Sequence, residues 1–295
     1  MSKILTFGSM NYDYVYNVPH IVQPGETLAS EQMSIFLGGK GFNQSIAAVR
    51  AGAEVWHAGQ IGEDGGQFVS ACRENGINTD YIKTVPGKTG HTIIQVDPSA
   101  ENCILLYGGA NQKIAADFVH SVIKRFGAGD WLLLQNETSC LHDMINAAYD
   151  QGMIIVLNPS PYREDILTHD LSKISWFLIN EVEGQQLTGK TDPDAILDIM
   201  HERFPHAGTV LTLGADGAVC QTKQERIAQK AFPVDAVDTT AAGDCFTGFF
   251  VSALCQDLSL QQAMEIAAKA AAICASRMGA SPSIPSLAEA QAFGT

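Results

Sequence analysis

The chain has 295 residues, 46% of them hydrophobic and 17% charged, with a formal net charge of −14. That apolar mass supports one large core and excludes a mostly disordered chain, while the acidic surface disfavours nucleic-acid and membrane partners. Seven cysteines, an odd number without a C-x-x-C pair, lie mostly in apolar runs and read as reduced thiols of a cytoplasmic protein.

Residues 3–8 predict a buried strand ending at Gly8-Ser9, too short in apolar length for a secretory leader. Asn11, Tyr12, Asp13, Tyr14, Val15 and Tyr16 alternate in character, as on a strand with two different faces, and residues 26–37 predict another strand. Gly38-Gly39-Lys40-Gly41 then opens a helix with Ile46, Ala47, Val49 and Ala53 at its apolar positions. Beyond it, strands at 55–60, 130–135, 153–157, 175–179, 208–213 and 217–222 intersperse with helices at 65–75, 114–126, 140–151, 193–203, 242–256 and 260–278. Such alternation implies parallel βαβ units with helices on both faces of a sheet. The segments 11–18, 26–37 and 90–108 lack intervening helices and predict a small separate sheet, placed as a lid at the mouth of the main one. With no internal repeat and no low-complexity linker, residues 1–295 read as a single α/β domain carrying that lid. No apolar run reaches bilayer-spanning length.

The most informative segment is Val237-Asp238-Thr239-Thr240-Ala241-Ala242-Gly243-Asp244, which precedes a long apolar helix. The first N–H groups of a helix lack intrahelical partners, and the helix dipole favours an anion there. Small residues at Ala241, Ala242 and Gly243 let a phosphate approach those donors, with the Asp244 carboxylate beside it in the first turn. Asp244 serving only to complement the dipole is the plainer alternative, but the eight residues together supply anion donors and a base in one place.

Asp238 to Asp244 resembles the C-terminal signature of the ribokinase-like (PfkB) carbohydrate kinases, and within them the ribokinase branch most of all. The N-terminal signature of that family is similar to Gly38-Gly39-Lys40-Gly41-Phe42-Asn43-Gln44, its Asn-x-x-Glu motif to Asn180-Glu181-Val182-Glu183, and its nucleotide loop to Thr212-Leu213-Gly214-Ala215-Asp216-Gly217. The stretch Arg277 to Pro285 resembles the end of a ribokinase, so the likeness runs from Gly8 to Pro285 in the family's order. It implies a Rossmann-like sandwich with a mostly parallel central sheet and a β-sheet lid. The implied activity is ATP-dependent phosphorylation of a primary sugar hydroxyl, ribose giving ribose 5-phosphate.

The same resemblance implies the site. Asp244 is the base, with the N–H groups of Ala241, Ala242 and Gly243 and a Mg²⁺ ion meeting the charge on the transferring group. Asn11, Asp13, Gly39, Lys40, Asn43 and Glu137 are the sugar contacts. Asn180 and Glu183 attend phosphate and Mg²⁺, while Thr212, Gly214, Ala215 and Gly217 lie beside the nucleotide. Asp238, Thr240, Cys274, Arg277, Gly279 and Ser283 form a monovalent-cation loop for an activating K⁺, largely through backbone oxygens; Asp238 acting only as a loop cap is the alternative.

Tyr12, Tyr14, Tyr16, Phe36 and Phe42 are dense around these positions, Phe42 stands where ribokinases usually carry a small residue, and His91 lies on a lid strand. Two readings follow: the aromatics stack on a larger acceptor, or they pack a lid-to-lid homodimer, since a small lone lid is a poor core. Other acceptors (fructose, a deoxypentose, a nucleoside) and a non-catalytic sugar-binding relative are the rival functions. A dinucleotide-dependent oxidoreductase would carry Gly-x-Gly-x-x-Gly after the first strand, and Gly8-Ser9-Met10-Asn11 does not.

Overall fold

The computed structural model describes residues 2–99 and 101–294. Met1 and Thr295, the ends of the predicted domain, and Ala100, within the predicted lid span, lie outside the described residues. In chain order the elements are β1 (Ile4–Phe7), β2 (Asn11–Asn17), β3 (Gln32–Gly38), α1 (Lys40–Arg50), β4 (Val55–Ile61), α2 (Gly66–Glu74), β5 (Asn78–Thr84), β6 (Gly90–Val96) and β7 (Asn102–Tyr107). There follow α3 (Ala116–Ile123), β8 (Trp131–Gln135), α4 (Leu141–Asp150), β9 (Ile154–Asn158), β10 (Trp176–Asn180), α5 (Glu181–Thr188), α6 (Pro193–Arg203) and β11 (Gly208–Thr212). The chain closes with β12 (Ala218–Gln221), β13 (Arg226–Gln229), α7 (Ala242–Cys255), α8 (Leu260–Ala275) and α9 (Leu287–Ala292).

Among the described residues one sheet has the order β13-β12-β11-β10-β9-β8-β1-β4-β5, and a second has the order β3-β2-β6-β7. The large sheet is parallel from β5 to β11 and antiparallel at β12 and β13. Its central strands are largely apolar because both faces are covered, with polar residues gathered mainly at their carboxyl ends. Leu133, Val156, Leu178 and Val210 pack on one side with α1, α7 and α8, while Leu132, Leu134, Ile155 and Phe177 pack on the other with α3, α4 and α6. Each fully buried leucine, isoleucine or phenylalanine there contributes about 1.5–3 kcal/mol. This double burial fixes the carboxyl ends of β1 and β8, where Ser9 and Glu137 emerge.

The second sheet differs in detail from the sequence expectation. Residues 26–31 are irregular and β3 begins at Gln32, while the 90–108 segment is an antiparallel hairpin of β6 and β7. Two strands and two helices went unpredicted: β5, β13, α5 and α9. β5 (NTDYIKT) and β13 (RIAQ) are sheet edges whose polar residues break the apolar pattern. No helix among the described residues is long and apolar enough to cross a membrane.

Candidate active site

The loop before α7 turns sharply at Ala241, whose φ of 62° lies in the left-handed region. This turn commits the Ala242 N–H to the Thr239 carbonyl at 3.2 Å, so of the predicted anion donors Ala242 is already engaged. The Gly243 and Asp244 N–H groups have no acceptor among the described residues and stand at the positive end of the helix dipole. A Cβ on Gly243 would meet no protein atom. Packing therefore does not require glycine there, whereas a closely approaching ligand would.

Asp244 is 9% exposed, and its carboxylate is held from both sides. Asn43 Nδ2 donates to Oδ2 at 3.0 Å and Gln44 Nε2 to Oδ1 at 2.9 Å. Gln135, at the end of β8, donates in turn to Gln44 Oε1 at 2.7 Å. Asn43 Oδ1 is buried without a partner, an acceptor of the kind a ligand hydroxyl satisfies.

The predicted sugar contacts converge beside Asp244. Asn11 and Asp13 share one face of β2. Thr92, opposite Asp13 on β6, donates to Asp13 Oδ1 at 2.5 Å. Asn111 donates to Asn11 Oδ1 at 2.8 Å while bridging both backbone groups of Met10. The backbone is kept bare where these side chains lie: a Cβ on Gly38 would come within 2.0 Å of Asp13 Oδ2, and one on Gly90 within 2.1 Å of Asn11 Oδ1. Gly39, at φ 95°, starts α1. Glu137 Oε2 accepts from the Lys40 N–H at 3.1 Å and from the Ser9 hydroxyl.

Four carboxylates thus act on one ammonium. Burial disfavours charge on Lys40, but Asp244, Glu137, Glu183 and Asp13 outweigh it and hold its pKa above the ordinary value. Burial raises the Glu137 pKa against the pull of Lys40 and Ser9. Burial, reinforced by Glu137 and Asp244 and opposed by the Thr92 hydrogen bond and Lys40, raises the Asp13 carboxyl to about 6.

On the other side of Asp244 lies a cavity of about 230 Å³, lined by Lys40, Asn158, Ser160, Asn180, Glu183, Thr212, Thr239, Gly243, Asp244 and Thr247 among others. Asn180 caps α5 reciprocally with Glu183: the Glu183 N–H donates to Asn180 Oδ1 at 2.9 Å, and the Asn180 N–H to Glu183 Oε2 at 3.0 Å. The pair is a capping box and a cavity wall at once, with Glu183 buried and Glu181 exposed. Thr212 ends β11, and Gly214, Ala215 and Asp216 form a tight turn closed by Gly217 at φ 103°.

At the predicted cation loop, Asp238 Oδ1 accepts from the Thr240 N–H and Oδ2 from the Gly279 N–H, each at 2.9 Å. These bonds outweigh burial and lower its pKa. Cys274 lies between the Thr240 carbonyl and the Ser283 hydroxyl. The Arg277 guanidinium instead reaches Glu289 at 2.7 Å, leaving that residue only its backbone to offer.

The aromatic residues do not line this pocket as a group. Tyr12 and Tyr14 project from the face of β2 opposite Asn11 and Asp13. Tyr12 packs on Phe68 at 4.9 Å and Phe68 on Phe42 at 5.2 Å, while the Tyr12 hydroxyl donates to the Asp64 carbonyl. Gln44, Gln135, Ser9, Thr92 and Asn111 escaped the sequence reading as site groups; only Gln44, inside a recognised motif, carried any signal.

The profile of the pfkB family carbohydrate kinases matches residues 1–287. Ribokinase of Haemophilus influenzae is 38% identical over 305 residues, covering 99% of each chain. The crystal structure of ribokinase from Cryptococcus neoformans in complex with ADP superposes with a TM-score of 0.88 at 32% identity, covering 99% of each chain. Arabidopsis thaliana ribokinase complexed with ribose and ATP gives a TM-score of 0.87 at 26% identity, over 99% of this chain and 98% of that one.

Proposed function

The chain belongs to the pfkB family of carbohydrate kinases, and from that premise we propose that it transfers the γ-phosphoryl group of ATP to the primary hydroxyl of ribose, giving ribose 5-phosphate and ADP. The observation that carries the reading is the position of Asp244, whose side chain borders both the polar pocket of Asn11, Asp13, Asn43 and Glu137 and the cavity ending at Gly243. Asp244 takes the proton of the acceptor hydroxyl as its oxygen attacks the γ-phosphorus and the bond to the ADP oxygen breaks. The free N–H groups of Gly243 and Asp244 meet the charge on the transferring group. Lys40 adds a half-buried positive charge at the junction of the two spaces. Such a reaction depends mainly on positioning and fixed electrostatics. A pentose suits the pocket better than a nucleoside, because Tyr12 and Phe42 are spent on the packing around Phe68.

Among the described residues no group of three or more His, Cys, Asp or Glu side chains could hold a metal by itself. Mg²⁺ keeps most of its water and binds through substrate phosphates and one or two carboxylates, and Glu183 on the cavity wall fits that mode. When bound with ATP it supplies charge neutralisation of the phosphates. Asp238 is both loop tie and, with lone pairs left over on each oxygen, a fitting hard donor for K⁺ between the Thr240 and Gly279 segments. We read residues 1–295 as one domain whose second sheet acts as a lid and pairs with that of a second copy. Met33, Ile35, Ile104, Leu105, Leu106 and Tyr107 lie exposed on that sheet, as an interface would require. The test is ADP release from Mg-ATP across pentoses, hexoses and nucleosides: strong stimulation by ribose is expected, and stimulation by another acceptor alone would reassign the substrate.

A further inference from the structure

The proposed chemistry leaves unused a buried set of polar side chains that reaches Asp244. Gln44 is fully buried and Gln135 is 1% exposed. They link β8, α1 and α7: Gln135 Nε2 donates to Gln44 Oε1, and Gln44 Nε2 donates to Asp244 Oδ1. Two amides are a costly way to fill a core, since each polar atom must be satisfied. Here one is not, because Gln135 Oε1 is buried without a partner. Room for that group is nonetheless kept, as a Cβ on Gly8 would come within 2.3 Å of Gln135 Oε1.

A carboxamide is directional, with a donor end and an acceptor end. Because Gln135 offers its N–H to Gln44, the Gln44 carbonyl is engaged and its NH₂ must point at Asp244. Turned round, Gln44 would set its carbonyl against a carboxylate oxygen and its NH₂ against the NH₂ of Gln135. Gln135 therefore reinforces, one residue removed, the orientation of Gln44 that the acceptor-only carboxylate of Asp244 requires, and fixes Gln44 in it.

We propose that Gln135 is a positioning residue for phosphoryl transfer, acting through Gln44 to lock a donor onto Asp244 Oδ1 so that the carboxylate meets the acceptor hydroxyl as a base in one fixed orientation. The inference rests on the reading of Asp244 as that base. Gln135 touches neither substrate, so its loss acts on kcat and leaves the KM for sugar and ATP within about two-fold.

The experiment compares Gln135→Met, Gln44→Met, the double variant and Gln135→Glu, with Asp244→Asn alongside. Gln44→Met is expected to lower kcat by about 10- to 100-fold, the worth of a hydrogen bond to a charged group, and Gln135→Met, which removes a bond to a neutral amide, by about 3- to 10-fold. The double variant is expected to be no worse than Gln44→Met, because the two act in series. Gln135→Glu separates direction from packing. Its protonated form, favoured by burial, donates to Gln44 and keeps the orientation; its ionised form can only accept and turns Gln44 round. The kcat ratio of Gln135→Glu to the parent is therefore expected to fall as pH rises. Near-parental kcat in both methionine variants, losses confined to KM, additive losses, or a pH-independent ratio would each overturn the proposal. If the methionine variants do not fold, the pH series of Gln135→Glu decides alone. A nearly inactive Asp244→Asn beside fully active glutamine variants removes the relay but keeps the base; a near-normal Asp244→Asn removes the base reading itself.

Discussion

Replacing Asp13 by asparagine is expected to raise stability at neutral pH while weakening sugar binding. The folded protein lifts the Asp13 pKa from 3.8 to about 6, chiefly by burial, with Glu137 and Asp244 adding to it and Thr92 and Lys40 opposing. A carboxyl whose folded pKa lies above its unfolded value binds more protons when folded, so stability falls as pH rises between the two values. Below the unfolded pKa there is no penalty; above the folded pKa it is complete. A shift of about two units corresponds to a ceiling of about 3 kcal/mol, less whatever solvent relaxation recovers. Asparagine keeps an acceptor for the Thr92 hydroxyl and carries no charge. Urea unfolding of parent and Asp13→Asn between about pH 4 and pH 8 measures the difference, which should widen through the window and then level off. Parallel curves would refute the assignment. The same titration bears on binding: an ionised Asp13 accepts hydroxyl protons better, so the sugar KM should fall as pH rises through about 6, and Asp13→Asn should flatten that dependence.

Ala241 holds a left-handed backbone at φ 62° that costs an L-residue about 1–2 kcal/mol. Ala241→Gly should therefore raise unfolding stability by about 1 kcal/mol, and an unchanged denaturation midpoint would count against strain there. Exchange of Na⁺ for K⁺ in the assay should raise turnover, and Asp238→Ala, which unties Thr240 from Gly279, should abolish the response; a parent insensitive to K⁺ would remove the cation reading.

Much of this was legible in the sequence because the informative residues lie close together along it. Asp238 to Asp244, Gly38 to Gln44 and Asn180 to Glu183 are local segments whose backbone geometry follows from their own composition. The period-2 alternation of β2 already places Asn11 and Asp13 on one face, and by the same rule it sends Tyr12 and Tyr14 to the other, against a nucleoside-stacking role. What local pattern does not carry is long-range pairing. Gln135 and Gln44 are 91 positions apart and Gln44 and Asp244 are 200 apart; Gln44 stands inside a recognised motif that does not say what it bonds, and Gln135 does not differ in sequence from a surface residue. The roles of Asn111 and Thr92 were invisible for the same reason, since their partners Asn11 and Asp13 lie far away in sequence on β2. Edge strands β5 and β13 were missed because one-sided exposure removes the apolar run that marks the central strands.

The central claim is that Asp244 activates a sugar hydroxyl. It is tested most directly by ribose-dependent ADP formation in Asp244→Asn, a substitution that removes the basic carboxylate with almost no change of shape. The account predicts a loss of about 10²–10⁴-fold in kcat with the protein folded. Turnover near that of the parent would contradict it.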